Sequence, residues 1–182
     1  MNTMFDFTGG NSGDWQILET KILTGPHAIA SASHLSIAPG SLISEPSGIW
    51  NLKGFVSNVR YAEKQEREQL KSIQPPLGRT EVVYASLIPM GKNELWWNMA
   101  QDERRKIFEE TSHHTQIGMK YLPAVARKLF HSRDIGQPFD FITWFEYSES
   151  DVSAFEDLLA ALRVTEEWSY VDREVQINLK RK

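Results

Sequence analysis

The feature that most constrains the fold is the order of predicted elements in the second half of the chain. Six segments follow one another: a strand at 81–90, a helix from 93 to about 119, strands at 124–132 and 139–147, a helix from 151 to about 167, and a strand at 169–179. This order is that of the ferredoxin-like fold, in which both helices lie on one face of an antiparallel sheet. The other face then needs covering by a second subdomain, a partner chain or a ligand.

Local signals support several of these boundaries. Pro123 ends the first helix, and Ser150 is predicted to be the N-cap of the second. The last strand alternates in character, which predicts one buried and one polar face. Its apolar residues are Val171, Val175, Ile177 and Leu179, and its polar ones are Asp172, Glu174 and Asn178.

The first half is less regular and predicts a reduced version of the same module. Strands are expected at 15–23 and 49–61, separated by a stretch rich in Ser, Gly and Pro, and a short exposed helix at 62–73. We therefore expect an α+β fold with two antiparallel sheets. A truncated N-terminal module at 1–80 and a C-terminal module at 81–182 would form one compact unit.

Composition excludes several classes of site. The chain has no cysteine, which rules out disulfides, thiolate metal sites, iron–sulfur clusters and cysteine nucleophiles. A net charge of −4 gives no reason to expect nucleic-acid or membrane-surface binding. Neither a Gly-rich phosphate loop nor a nucleophile elbow nor a zinc-binding HExxH motif is present. With no secretory signal at the N-terminus, we expect a cytoplasmic location.

Two adjacent histidines on the first predicted helix are the leading candidates for chemistry. Residues seven apart return to nearly the same helix face, so His114 shares the inward stripe of Ile107 and Phe108. His113 is in phase with Lys106 and is expected to face polar surroundings. Helical phase therefore selects His114 as the buried histidine. Whether it is a ligand or a hydrogen-bonded core residue stays open on this evidence.

The strand at 124–132 contains a second anomaly. Alternation puts Arg127 between Val125 and Leu129 on one face. If that face is the inner one, Arg127 is a buried guanidinium, which is rare without an anionic partner. The alternative is an arginine on an edge strand that faces solvent. Glu167, at the end of the last helix, is by itself most simply a solvated carboxylate.

Several separated sequence blocks, in order, are similar to one known family. They are FTGGNSGDW at 7–15, NVRY at 58–61, WW at 96–97, DERR at 102–105, SHH at 112–114, KYLPAVAR at 120–127, GQPFDFITWFE at 136–146 and EEWSYVDRE at 166–174. Together they strongly resemble the chlorite dismutase family of the dimeric α+β barrel superfamily. The shortened N-terminal part resembles the short lineage of that family, whose members are homodimers.

The resemblance implies a haem b enzyme that decomposes chlorite, a small anion, to chloride and dioxygen through a ferryl species and a retained hypochlorite. By this resemblance His114 is the proximal iron ligand, Glu167 is the carboxylate behind it, and Arg127 is the distal residue. Gln74 would hold Arg127 turned inward. Further haem-pocket contacts are expected from Tyr61, Ile88, Trp97, Leu129 and Phe145.

Other functions on the same scaffold remain open at this point. Relatives in the superfamily decarboxylate coproporphyrin haem, and usually have glutamine in place of the distal arginine. A weak haem peroxidase is a further alternative, because five-coordinate iron with one histidine ligand reacts slowly with peroxide. The last is a non-catalytic barrel that binds haem or another ligand. Whether the tryptophans tune the haem or only pack is a separate open question.

Overall fold

Eight antiparallel strands close into a barrel. The computed structural model describes residues 4–26, 28–42, 48–56, 68, 70 and 72–182. The strands are β1 (Met4–Gly10), β2 (Trp15–Thr24), β3 (His34–Pro39), β4 (Trp50–Val56), β5 (Tyr84–Lys92), β6 (Ala126–His131), β7 (Phe141–Tyr147) and β8 (Val171–Arg181).

The strand order around the barrel is β1-β3-β2-β8-β5-β7-β6-β4. In the second half, the order β8-β5-β7-β6 is the ferredoxin-like arrangement, so the predicted fold class is confirmed. The first half repeats it as β4-β1-β3-β2. Pairing of β2 with β8 and of β4 with β6 joins the two halves, which meet in sequence between β4 and β5. The face that needed covering is thus closed by the first half.

The first half contains more strand than the sequence predicted. The segments Met4–Gly10 and His34–Pro39 pair with one another, although their Gly, Ser and Pro content predicts loops. Gly9 shows the reason for a glycine in this strand. The indole of Trp50 on the neighbouring strand fills the space of a side chain, so a Cβ at Gly9 would lie 1.9 Å from Cε2 of Trp50. The predicted helix at 62–73 and the end of the predicted strand at 49–61 lie largely outside the described residues.

The predicted single helix from 93 to about 119 is wrong. The structure has α1 (Glu94–Asn98), α2 (Gln101–Arg105), a π-helical turn (Lys106–Thr111) and α3 (His114–Lys120). Asn93 starts the first, its side chain accepting the N–H of Trp96. His113 has a φ of 52°, in the left-handed region, so it separates the π-helical turn from α3. Helical phase therefore does not run unbroken from Ile107 to His114.

The last helix, α4 (Val152–Arg163), is shorter than predicted at both ends. Asp151 rather than Ser150 occupies the N-cap position, because Glu149–Asp151 forms a 3-10 turn first. At the other end Thr165 precedes a separate 3-10 segment, Glu166–Tyr170. Glu167 consequently lies on this short segment and not on the helix.

Two apolar clusters organise the interior. The barrel interior contains Phe7, Leu35, Leu52, Leu87, Phe130, Ile142, Val175, Ile177 and Leu179. The second cluster lies between α4 and the outer face of the sheet, and contains Ile88, Val125, Phe145, Tyr147, Phe155, Leu158, Leu159 and Leu162. The alternation of β8 is confirmed for its barrel face, but Glu174 on the other face is buried rather than solvated. No helix in the described ranges is both long and apolar enough to span a membrane.

Candidate functional site

A cavity of about 280 Å³ lies between the outer face of strands β5, β6 and β7 and the helical segments. Its lining is largely apolar and aromatic. The apolar lining residues are Leu70, Ile88, Met90, Trp96, Phe108, Leu129, Phe141, Phe145, Leu159, Leu162 and Trp168. A few polar side chains join them, which is the usual composition of a site for a large organic ligand.

His114 projects into this cavity from the first residue of α3. Its Nδ1 lies 2.6 Å from Oε2 of Glu167, and the ring of Phe108 stacks on the imidazole with centroids 4.3 Å apart. Because the carboxylate accepts a hydrogen bond from Nδ1–H, the lone pair of a neutral imidazole lies on Nε2. Nε2 makes no hydrogen bond to the described residues, so it is available to a ligand. The neighbouring His113 is exposed.

Glu167 is fixed from three directions. Its carboxylate contacts Nδ1 of His114 and accepts a hydrogen bond of 2.5 Å from Nζ of Lys92, while its backbone N–H donates to Oγ of Ser112. Burial raises the pKa of this carboxyl, but its electrostatic interactions and hydrogen bonds with His114 and Lys92 outweigh that effect. The pKa of Glu167 is consequently lowered to about 2. The group therefore acts as a fixed anion behind the imidazole.

Lys92 is a functional residue that sequence reasoning missed. Its backbone N–H donates to Oδ2 of Asp140, and its Nζ lies 3.7 Å from the centre of the Trp96 ring. Burial lowers the pKa of its ammonium group, while contact with Glu167 opposes that shift. The sequence contained a signal for this residue, because period-two alternation along β5 puts Lys92 on the same strand face as Ile88, which was expected to line the pocket.

Arg127 enters the cavity from β6, on the same strand face as Leu129 and opposite Phe130 in the barrel. Burial lowers the pKa of its guanidinium, and the charge of Glu109 opposes that shift. Arginine nevertheless stays protonated. Its side chain makes no hydrogen bond or ion pair with the described residues, so its N–H donors are available to an anion.

The contact predicted between Gln74 and Arg127 exists in a different form. The side-chain amide of Gln74 donates a hydrogen bond of 2.6 Å to the main-chain carbonyl of Arg127. This contact is made with the main chain and not with the guanidinium, and the expectation that Gln74 holds Arg127 turned inward stays a prediction. Gln74 fixes the backbone from which the arginine extends, and it also lines the cavity.

Among the described residues, no three His, Asp or Glu side chains converge in a way that could hold a metal ion. A metal bound by Nε2 of His114 would thus have to bring most of its ligands with it. A planar macrocycle that carries its own metal meets this requirement, and the apolar lining of the cavity suits such a group.

Comparison with known proteins identifies the family of the chain. A family model described as Chlorite dismutase matches residues 45–181. The chain belongs to the chlorite dismutase family. A curated chlorite dismutase from Ideonella dechloratans is 38% identical over 87 residues, which is 48% of this chain and 28% of that protein. The chain thus aligns with little more than a quarter of that relative's length.

Solved structures of chlorite dismutases share the fold. Dimeric chlorite dismutases from Nitrobacter winogradskyi are 52% identical, with a TM-score of 0.92 over 98% of this chain and 99% of that one. The chlorite dismutase of Candidatus Nitrospira defluvii in complex with imidazole is 26% identical. Its TM-score is 0.58, over 81% of this chain and 56% of that one.

The structure brings together most of the residues that the family resemblance implied. Ile88, Leu129 and Phe145 line the cavity together with His114, Glu167, Arg127 and Gln74. Trp97 does not line it, because its indole N–H donates to Asp140 and its ring stacks on Phe141. Tyr61 lies outside the described residues.

Sequence reasoning missed other lining residues. Trp96, Thr115, His131, Thr143 and Trp168 all border the cavity. Period-two alternation along β6 could have identified His131, which shares a strand face with Arg127 and Leu129. The helical and 3-10 residues Trp96, Thr115 and Trp168 carried no comparable signal.

Proposed function

We propose that this chlorite dismutase family member binds one haem b through His114 and decomposes chlorite to chloride and dioxygen. The observation that carries the proposal is the pairing of two features in one apolar cavity. One is an imidazole whose Nδ1 is held by a buried carboxylate and whose Nε2 is available. The other is a guanidinium without a hydrogen-bond acceptor among the described residues. A cationic donor and a metal ligand in one apolar site suit an anionic substrate.

The residues around His114 would hold the cofactor and set its properties. Nε2 of His114 would bind the iron, and the Phe108 ring would keep the imidazole plane fixed. Glu167 makes the imidazole a stronger electron donor by accepting its Nδ1 proton in a hydrogen bond. Lys92 keeps Glu167 in place, and the apolar lining would exclude water from the faces of the macrocycle. When bound, haem supplies the redox chemistry that breaks and forms bonds to oxygen.

Arg127 would serve the substrate. Its planar N–H donors can bind an oxyanion through two hydrogen bonds, and it stays charged at any physiological pH. Chlorite that gives up one oxygen atom becomes hypochlorite. The same donors would keep this hypochlorite inside the cavity. Retention allows both chlorite oxygens to leave as dioxygen with chloride as the other product. Gln74 supports this role by fixing the carbonyl of Arg127.

We further propose that the chain forms a homodimer. The supporting observation is the 52% identity, over nearly the whole of both chains, to Nitrobacter winogradskyi structures that are described as dimeric. Size-exclusion chromatography with light scattering tests this point directly.

The activity is tested by following dioxygen with an oxygen electrode after chlorite is added to the purified, haem-loaded protein. One dioxygen and one chloride per chlorite are expected. A parallel incubation with coproporphyrin haem and peroxide, analysed for haem b, tests decarboxylation. Conversion of coproporphyrin haem without release of dioxygen from chlorite would overturn the proposal, as would a protein that binds haem and does neither.

A further inference from the structure

Glu109 is a buried carboxylate that the roles assigned above do not use. It lies in the π-helical turn before His113, and 5% of it is exposed. Oε2 accepts a hydrogen bond of 3.0 Å from the backbone N–H of Thr115. Oε1 is buried and has no hydrogen-bond partner among the described residues. An unpaired carboxylate oxygen in such a place is costly, so it calls for a compensating positive charge nearby.

Gly118 provides the second observation. It is a buried residue in α3, and its φ does not require glycine. Glycine is a poorer helix former than alanine, so the backbone gains nothing from it. A Cβ at this position, however, would lie 1.9 Å from Nη1 of Arg127, with Cζ and Nη2 the next nearest atoms. The guanidinium therefore occupies the space that a side chain at position 118 would take.

Both features contact one helix, α3. Glu109 accepts a hydrogen bond from the backbone N–H of Thr115 in its first turn, and the guanidinium of Arg127 lies against Gly118 three residues later. The negative charge of Glu109 attracts the guanidinium, which opposes the effect of burial on the pKa of Arg127. The two side chains make no direct hydrogen bond in the described part of the chain, so the attraction is electrostatic or passes through a bridging water.

We propose that Gly118 and Glu109 form a seat for the guanidinium of Arg127 on the helix-side wall of the cavity. Gly118 supplies the space and Glu109 supplies the negative charge. Both are positioning residues, since each acts through Arg127. The importance of the seat for chlorite turnover rests on the proposed function, whereas the seat itself does not. It would keep a long, flexible cation inside the cavity, ready for an entering anion.

Two substitutions separate the parts of the seat. Gly118→Ala fills the space with one methyl group, which Arg127 can avoid by moving its flexible end. Because alanine favours the helix, this variant should unfold at or above the temperature of the unchanged protein. Glu109→Gln removes the charge but keeps a side-chain oxygen for the N–H of Thr115, so the start of α3 is preserved.

Each variant has a matched control. Gly10→Ala introduces a methyl group in a place where the nearest atom is 3.9 Å away, in β1. Glu110→Gln removes the neighbouring carboxylate, which is exposed. Both controls change the same residue types as the test variants but leave the proposed seat intact.

The readout is the rate at which phenylglyoxal modifies Arg127 in the purified full-length protein, measured by mass spectrometry of the peptide. This reagent attacks the neutral guanidine, so a nearby carboxylate slows it. Losing the attraction of a nearby opposite charge should raise the rate about threefold or more in Glu109→Gln. A rise of similar size is expected in Gly118→Ala, and no rise in either control. The double variant should be little faster than either single one, because both act on one seat.

Unchanged reactivity of Arg127 in Glu109→Gln would overturn the seat, whether or not Gly118→Ala folds. An equal rise in Glu110→Gln would overturn it too, because the effect would then be one of general charge. Dioxygen release from chlorite is measured on the same preparations. If Arg127 reactivity rises in the test variants while the unchanged, haem-loaded protein releases no dioxygen, the proposed function is refuted and the seat is supported. If the unchanged protein releases dioxygen and reactivity does not rise in the variants, the seat alone is refuted.

Discussion

Replacing Lys92 with methionine should destabilise the chain strongly, because it removes the buried cation that contacts Glu167. The two side chains meet at 2.5 Å, and only 3% and 5% of their side-chain surfaces are exposed. Methionine is unbranched, flexible and of similar length, so it can fill the space that lysine leaves. The substitution therefore tests the charge rather than the packing.

The structure allows the cost to be estimated. Removing one partner of a buried ion pair costs about 3–5 kcal/mol. The lowering of the Glu167 pKa from 4.5 to about 2 corresponds to about 3 kcal/mol, contributed by His114 as well as Lys92. Burial also disfavours the charged form of Lys92, so part of the cost of losing the ion pair is offset when the lysine is removed. The lower end of the range of about 3–5 kcal/mol is therefore expected. At about 3 kcal/mol, the expected fall in Tm is about 6–12 °C for a chain of this length.

The sign of the pH dependence follows from the same group. Because the pKa of Glu167 is lower in the folded chain, its contribution to stability is present above about pH 4.5 and is lost as the pH falls towards 2. Without Lys92, the carboxyl loses one of the two partners that lower its pKa against the effect of burial. The difference in stability between the variant and the unchanged protein should consequently be largest near neutral pH and shrink on acidification.

Thermal unfolding followed by circular dichroism between pH 3 and 8, with Soret absorbance for haem retention, provides the assay. Lys53→Met is the matched control, since Lys53 is also buried and lies 3.7 Å from Asp6, away from the cavity. We expect both variants to lose stability and only Lys92→Met to lose haem more readily. A Lys92→Met protein within 0.5 kcal/mol of the original at pH 7 would refute the reasoning.

Further predictions concern the substrate cation and a buried phenol. Arg127→Ala should shorten the active lifetime in chlorite more than it lowers the initial rate, because escaping hypochlorite bleaches the haem; an equally long-lived variant would count against retention. Burial raises the pKa of Tyr147 to about 12, with its hydroxyl 2.9 Å from Ser86. Its contribution to stability is therefore present below about pH 10 and lost as the pH rises towards 12. Tyr147→Phe should flatten this alkaline loss, and equal alkaline sensitivity of both proteins would show that another group controls it.

The second half of the fold could be predicted because its signals are local. The continuous apolar run of β5 and the alternation of β8 each specify an element within one stretch of sequence. The helix at 93–119 could not be divided correctly, because density of helix-forming residues does not reveal a residue such as His113 in the left-handed region. Helical phase chose His114 over its neighbour, yet it did so across a break that invalidates the phase argument.

The parts that were missed depend on contacts between distant segments. The glycines of β1 predict a loop, but in the fold the side chain of Trp50 packs directly on Gly9. From the sequence Glu174 is expected to be solvated, but in the fold it accepts hydrogen bonds from Arg163 of α4 and from the indole N–H of Trp168. Lys92 reads as the polar end of a strand, and only the fold brings it to Glu167, 75 residues away in sequence.

Haem titration of two adjacent variants tests most directly whether Nε2 of His114 binds the iron of haem b. His113→Ala changes an exposed residue one position away and should bind haem with an unchanged Soret spectrum. His114→Ala should lose that spectrum and bind haem far more weakly. An unaltered spectrum and affinity in His114→Ala would contradict this role of His114.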